Sequence, residues 1–252
     1  MKKIFMNIVC SLIPVPKWRR QVRTLMYKHL FKSEILWKQR YKMLLGAVAD
    51  PDGLGMINAM MYNARVPEQY GYIFKKMPAG SVCIDCGANV GLISDLILKR
   101  GGVVFAFEPA RESAELLQYK YRDNKQITVI SKAVSDKNSV AVFHTGGNFD
   151  LGATLMNRTK KDSDYRVGVI RLVDFIQDLL SKQESIYLLK LDVEGVEFEI
   201  LEDIIKSNVY KKIKYIVCET HEWINKELEP KLAHIKNLIQ ENKIENIYLD
   251  WV

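Results

Sequence analysis

The 252-residue chain predicts an α/β fold, a doubly wound and mostly parallel sheet with helices on both faces, preceded by a basic helical arm. Three observations carry this. Val82-Cys-Ile-Asp-Cys-Gly-Ala-Asn-Val-Gly-Leu-Ile-Ser94 is an apolar strand that runs into a glycine turn and then into a 3.6-period apolar stripe. Val103-Val-Phe-Ala-Phe-Glu-Pro109 follows one helix later, a second apolar strand ending in an acid. Apolar strands and helical stretches keep alternating after that, which places a parallel sheet between two helical layers.

The arm comes first. Residues 1–44 hold eleven Lys and Arg against one acid, Glu34; that net +10 against a whole-chain +7 leaves −3 on residues 45–252. Two lysines and an apolar run at the start suggest a signal peptide, but no small-x-small cleavage site follows, and Trp18, Arg19 and Arg20 stand in its place. The run is also shorter than the ~20 residues of a spanning helix. Trp18, Val22, Leu25, His29 and Leu30 share one helical face, with Arg20, Arg23 and Lys28 largely elsewhere. Such a helix suits peripheral contact with an anionic membrane through residues 1–44, or packing on its own domain or a second copy; composition leaves both open. The mildly acidic remainder argues against a nucleic-acid partner, whose binding domains usually carry a basic patch on the working face.

Asp50-Pro-Asp-Gly-Leu-Gly55 is a turn cluster that divides the arm, 1–50, from a domain over 51–252. Within the domain a helix is predicted over 67–77, then a tight turn at Pro78-Ala-Gly80. Strands are predicted near 82–86, 103–107, 127–134, 187–192, 214–220 and 246–251, with helices near 92–100, 111–122, 195–206 and 228–242. Ser139–His144 and Arg166–Leu172 are strand-like runs flanking Thr145–Tyr165, a polar loop of about twenty residues, longer than compact domains usually keep without purpose. A substrate-facing lid is expected there, with a plain surface loop as the alternative. Asp174 is expected to cap a helix over 174–182. Cys83 and Cys86 have redox or zinc half-site spacing, yet three residues apart on a strand they face opposite ways, and no second pair completes a zinc set. Buried structural thiols are expected, in a reducing, cytoplasmic setting.

The turn reads Asp85-x-Gly87-x-Asn89-x-Gly91. It lacks the first glycine of the dinucleotide fingerprint, so a nicotinamide or flavin cofactor is not expected. Glycines here let a ligand approach bare backbone at a helix start. Tyr187-Leu-Leu-Lys-Leu-Asp-Val-Glu-Gly195 is a later apolar strand that also runs out into acids.

With the Asp-x-Gly-Ala-Asn-x-Gly turn, Phe107-Glu-Pro109, Ala133-Val-Ser-Asp-Lys137, Leu189-Lys-Leu-Asp-Val-Glu-Gly-Val-Glu197 and Glu219-Thr-His221 in this order, the chain resembles the FkbM family of methyltransferases over residues 67–222. The resemblance implies a Rossmann-like methyltransferase sheet, S-adenosyl-L-methionine as methyl donor, and usually a hydroxyl oxygen as acceptor. Asp85 and Gly87 would line the methionine and ribose side, Asn89 and Gly91 would shape the turn, Glu108 would hold the ribose hydroxyls, and Ala133 and Val134 would flank the adenine. Glu108 could instead cap the helix at 111. The family usually shows Leu-Asp-Asp where this chain has Leu172-Val-Asp174, which leaves any role for the first acid in doubt.

Catalysis is expected further along. Period-2 alternation puts Lys190, Asp192 and Glu194 on one side of their strand, and Glu219 and His221 alternate alike at the end of the next. Asp192 and His221 are the candidate catalytic residues, able to serve a hydroxyl that must lose its proton. Glu194 and Glu197 could equally cap or solvate the following helix. His29, His144 and His234 have no partners visible in sequence. Asp192, Glu194 and Glu219 are hard oxygen ligands that could take Mg²⁺, but neither spacing nor resemblance demands a metal, and none is assigned. The segment Pro14-Val-Pro-Lys-Trp-Arg-Arg20 resembles N-termini of enzymes of bacterial surface-polysaccharide assembly, which points to a small-molecule or glycan acceptor. A nucleic-acid methyltransferase is the alternative enzyme, although Asp192-Val-Glu-Gly195 stands where base-amine methylating enzymes carry Asn/Asp-Pro-Pro-Tyr/Phe. A non-catalytic membrane-associated scaffold with the same fold is the alternative class.

Overall fold

The computed structural model describes residues 66, 68–143, 165–223 and 226–251. The arm and most of the Thr145–Tyr165 loop, on which the anchor and lid expectations fall, lie outside these residues, as do the Asp50–Gly55 boundary and Cys10.

Six parallel strands build the main sheet: β1 (Val82–Cys86), β2 (Val103–Phe107), β3 (Ile127–Ile130), β7 (Ile186–Leu191), β8 (Ile213–Cys218) and β9 (Ile247–Tyr248), in the order β3-β2-β1-β7-β8-β9. The chain therefore winds outward from β1 to β3 and returns to the other side of β1 at β7. Ligands of open α/β sheets bind outside the carboxyl ends of the strands at such a reversal.

Every residue of β1 and β7 is buried, as central parallel strands covered on both faces must be. On one face Ile84, Cys86, Phe107, Leu189, Leu191 and Ile216 pack against α4 (Leu172–Leu180), α5 (Glu197–Lys206) and α6 (Glu229–Glu241). On the other face Cys83, Val104, Ala106, Leu188 and Val217 meet α1 (Gly71–Lys75), α2 (Leu92–Lys99) and α3 (Arg111–Lys120). This is the doubly wound arrangement that the alternation predicts. Cys83 and Cys86 fall into these two separate layers, and both are free thiols. Burial pushes the Cys83 thiol up to about 12 and holds those of Cys86 and Cys218 well above their ordinary value.

Three expectations need correction. The strand expected over 127–134 is two strands. β3 stops at Ile130, whose carbonyl accepts from both Glu108 N (3.1 Å) and Lys132 N (2.9 Å), and exposed Ser131 and Lys132 make a jog. The chain then enters a second sheet, β4 (Ala133–Ser135), β5 (Ser139–Phe143) and β6 (Tyr165–Arg171), in the order β4-β6-β5. Asp174 is not an N-cap. α4 starts at Leu172 because Leu172 and Val173 are both buried, and Asp174 in its first turn accepts from Arg171 Nη1 (2.7 Å) and Asn138 Nδ2 (2.9 Å). The helix expected over 67–77 is a 3₁₀ turn, Glu68–Tyr70, followed by the single turn and a half of α1. No helix among the described residues is long and apolar enough to cross a membrane.

Candidate active site

The site begins where β1 runs out. Gly87 has φ +75°, and a Cβ on it would stand 1.8 Å from the Asp192 carbonyl oxygen, so only glycine lets the ends of β1 and β7 pass this closely. The backbone N–H groups of Gly87 and Ala88 both donate to the Phe107 carbonyl (3.0 and 2.9 Å), which ties the turn to the end of β2. Asn89 takes φ +50°, a left-handed position that asparagine tolerates better than most residues. Gly91, at φ +83°, precedes α2, and its carbonyl accepts from Tyr121 Oη (3.0 Å).

Glu108 stands one residue past β2 and is buried. Its Oε2 accepts from Asn89 N (2.6 Å) and its Oε1 from Ala110 N (2.8 Å). It thus joins the glycine turn to the start of α3, supplying part of the capping role and part of a polar rim. A carboxylate oxygen has two lone pairs, so each can accept a further bond. Asp85 lies deeper, fully buried, with Ser94 Oγ donating to Oδ2 (2.7 Å) and Lys190 Nζ 3.5 Å from Oδ1. Ala133 and Val134 are both buried in β4, Val134 against the main core and Ala133 in the small sheet's own cluster.

Lys190 links this half to the next. Its register partner on β1 is Asp85, so the two side chains share a face. Its buried Nζ donates to the carbonyls of Gly87 (2.9 Å) and Cys86 (3.2 Å) and pairs with Asp192 Oδ2 at 3.1 Å. Burial opposes the charge, but Asp192 and Asp85 outweigh it and hold the ammonium above its ordinary value.

The second half lies beyond β7 and β8. Leu191 and Cys218 are register partners, and Glu219 N donates to the Leu191 carbonyl (2.9 Å), which sets Asp192 and Glu219 side by side. His221 opens a 3₁₀ turn, His221–Trp223, directly above them. Its Nε2 is 3.5 Å from Glu194 Oε2, 3.7 Å from Glu219 Oε1 and 3.8 Å from Asp192 Oδ1. On the other side of the ring, Nδ1 is 3.0 Å from Glu197 Oε1. Desolvation of this buried ring opposes the imidazolium, but Glu197, then Glu194 and Asp192, stabilise it and lift its pKa to about 9.

The structure therefore brings Asp192 and His221 together as their strand positions predict. It also places Glu197, which the sequence left equally between a part in the site and capping or solvating the following helix. Glu197 is fully buried, and its two oxygens accept from Val193 N (3.0 Å) and Gly195 N (2.9 Å). The turn between them takes left-handed Glu194 (φ +62°) and Gly195 (φ +118°), and that fold-back turns the first acid of α5 inward. An acid two residues past a glycine was the available signal.

With this geometry in view, comparison with known proteins is decisive on one point. The methyltransferase FkbM domain matches residues 85–244, from Asp85 in β1 to Ile244, three residues past α6. The chain belongs to the FkbM methyltransferase family. This FkbM methyltransferase is 26% identical over 202 residues to methyltransferase sdnD of Sordaria araneosa, a match spanning 67% of this chain and 77% of that one. Among solved structures it is similar to precorrin-6y C5,15-methyltransferase of Geobacter metallireducens, at 12% identity and TM-score 0.35 over 75% of this chain and 76% of that one. It is also similar to a PRMT6–SAH structure, at 12% identity and TM-score 0.31 over 61% and 40%. At those TM-scores the structural likenesses carry no argument.

The two ends of this FkbM methyltransferase's candidate site offer different groups. Glu108 and the glycine turn offer hydrogen-bond acceptors and close backbone approach, which suit binding. The cluster around His221 offers carboxylates and an imidazole, which suit proton and charge handling during group transfer.

Proposed function

We propose that this methyltransferase takes its methyl group from S-adenosyl-L-methionine and places it on a hydroxyl oxygen of a surface-polysaccharide sugar or related metabolite, in the cytoplasm. One observation carries the cofactor reading. Glu108 accepts from the Asn89 N–H at 2.6 Å where the ends of β1 and β2 come together, so a strand-end carboxylate and the turn from Gly87 to Gly91 share one rim. A ribose diol donates to such a carboxylate, and a nucleoside can approach such a turn. The donor set fits the cofactor.

S-adenosylmethionine supplies an electrophilic methyl on a sulfonium. The chain's own residues do the rest. Asp85, Gly87, Asn89, Gly91 and Glu108 bind and orient, with Asp85 acting from beneath through Ser94 and Lys190. Ala133 and Val134 give an apolar edge for the base. Bound there, S-adenosylmethionine would pass that methyl to an acceptor oxygen, the sulfur keeping the electron pair, and the hydroxyl would have to lose its proton. Asp192 is the side chain we assign to receive it, and His221, with Glu197 Oε1 3.0 Å from its Nδ1, holds the oxygen in line. The sugar acceptor rests on the resemblance of the Pro14–Arg20 segment to enzymes of polysaccharide assembly.

Calorimetry tests the cofactor: S-adenosylmethionine should give binding heat and NAD none. Mass spectrometry of surface polysaccharide from a deletion strain tests the acceptor, with loss of one methyl substituent expected. Unchanged polysaccharide would remove the glycan assignment and leave the methyltransferase in place.

A further inference from the structure

We propose that Asp192, Glu219 and His221 form a divalent-metal site, best matched to Mn²⁺, at which the acceptor hydroxyl is held. The inference deepens the proposed function and rests on it for the acceptor; the metal site itself stands on geometry.

One donor atom from each of the three side chains lies within 4.8 Å of the other two. Octahedral donors at ~2.1 Å from a small divalent ion are separated by about 3 Å when adjacent and about 4 Å when opposite. Small side-chain adjustments bring the three into that range. The spacing around His221 points the same way. Its ring is buried, and its Nε2 faces carboxylate oxygens of Glu194, Glu219 and Asp192 at 3.5, 3.7 and 3.8 Å. A direct charge-assisted bond would draw them to ~2.7–2.9 Å. Three acids gathered around one nitrogen at a longer distance have the separation of groups that share an ion.

Glu197 stands behind the histidine. Histidines that bind metals almost always turn their other ring nitrogen to a carboxylate or carbonyl. Here Nδ1 is 3.0 Å from Glu197 Oε1, an ion-pair contact without hydrogen-bond geometry, and Glu197 is itself locked by two backbone N–H groups. The opposite nitrogen faces Asp192 and Glu219. Asp192 divides its oxygens in a compatible way, Oδ2 toward Lys190 at 3.1 Å and Oδ1 toward the histidine. Five carboxylates (Asp85, Asp192, Glu194, Glu197 and Glu219) stand against Lys190 and one imidazole, so a divalent cation would bring the cluster toward neutrality.

The ligand chemistry selects the ion. Imidazole suits transition metals and carboxylates suit Mg²⁺, Ca²⁺ and Mn²⁺; a set of one nitrogen and two carboxylates is met best by Mn²⁺. Three protein ligands leave about three positions of an octahedron for water and an acceptor oxygen. A hydroxyl held there would be more acidic and would give its proton to Asp192 more readily. Glu219 and His221 would then serve methyl transfer through the ion, and Asp192 both through it and as the proton acceptor.

The test is uptake of MnCl₂ by full-length, EDTA-treated protein without S-adenosylmethionine, followed by the electron paramagnetic resonance signal of free Mn²⁺. One ion per chain is expected. Glu219→Gln, close to isosteric, and His221→Ala should each weaken uptake at least ~10-fold, and Glu197→Gln by ~10–100-fold, the usual effect of losing the carboxylate behind a metal-binding histidine. Glu202→Gln, at a surface acid paired with Lys206, should bind as wild type. Each variant is checked for folding by its thermal transition. No uptake by wild type, or wild-type uptake by folded Glu219→Gln, overturns the site. Heat from S-adenosylmethionine without Mn²⁺ uptake removes the metal and keeps the methyltransferase reading; Mn²⁺ uptake without that heat does the reverse.

Discussion

The two halves of the site are built from the same kinds of residue and are wired differently. At the ends of β1 and β2 the acids are held by the protein itself: Glu108 by two backbone N–H groups, Asp85 by Ser94 at Oδ2, with Lys190 3.5 Å from Oδ1. At the ends of β7 and β8 three acids crowd one histidine nitrogen at 3.5–3.8 Å. A carboxylate held by backbone donors is fixed before any ligand arrives, which is what a binding rim requires. Three carboxylates gathered around an imidazole concentrate negative charge at the ends of β7 and β8. Lys190 spans the two, donating to the Gly87 carbonyl on one side and pairing with Asp192 on the other.

Substitutions should separate the halves, except at the point where they touch. Gly87→Ala puts a Cβ 1.8 Å from the Asp192 carbonyl at φ +75°. Both halves must shift, and a loss of about 3 kcal/mol or more is expected in denaturant unfolding, with activity lost as well. A fully stable, active Gly87→Ala would mean that the ends of β1 and β7 do not approach this closely.

Asp192→Asn and His221→Ala come next. Each should lower kcat by ~10²–10⁴-fold in a methyl-transfer assay with a defined acceptor, the usual scale for losing a group that manages the reacting proton. Wild-type turnover in both would move the reacting end elsewhere. Glu108→Ala is smaller and should act on the other half, weakening S-adenosylmethionine by about 1–3 kcal/mol in calorimetry with little change in kcat at saturation.

The thiols test the strands beneath. Cys83, Cys86 and Cys218 are buried, so Ellman's reagent should find no more than Cys10 in native protein and all four cysteines after unfolding. Rapid reaction of Cys83 or Cys86 would show that β1 opens. The smallest effect concerns the arm, where the net +10 over residues 1–44 should hold full-length protein on anionic vesicles at low salt and release it as salt rises. Absence of low-salt binding would assign the arm to protein packing.

The binding half was the more legible in sequence, for a physical reason. Val82–Cys86 and Val103–Phe107 are local apolar runs, and Gly87, Asn89 and Gly91 announce left-handed backbone without reference to anything distant. The meeting of Asp192 with His221 was legible too, since neighbouring parallel strands end side by side. Glu197 was harder. An acid in the first turn of a helix suits solvent as well as it suits the interior, and only the fold-back through Glu194 and Gly195 decides between them. The break between β3 and β4 was hidden because only Ser131 and Lys132 separate two strand-forming runs, and the exposed jog that they make, with Lys132 N turned back to the Ile130 carbonyl, sends the chain into the second sheet. Asp174 misled because a cap and a first-turn acid look alike in sequence; burial of Leu172 and Val173 chose the earlier start.

The division between the halves is tested most directly by one calorimetric series, S-adenosylmethionine titrated into wild type, Glu108→Ala and Asp192→Asn under identical conditions. Binding should weaken about 5- to 150-fold in Glu108→Ala and stay at the wild-type value in Asp192→Asn. Equal weakening in both variants, or wild-type affinity in a folded Glu108→Ala, would contradict it.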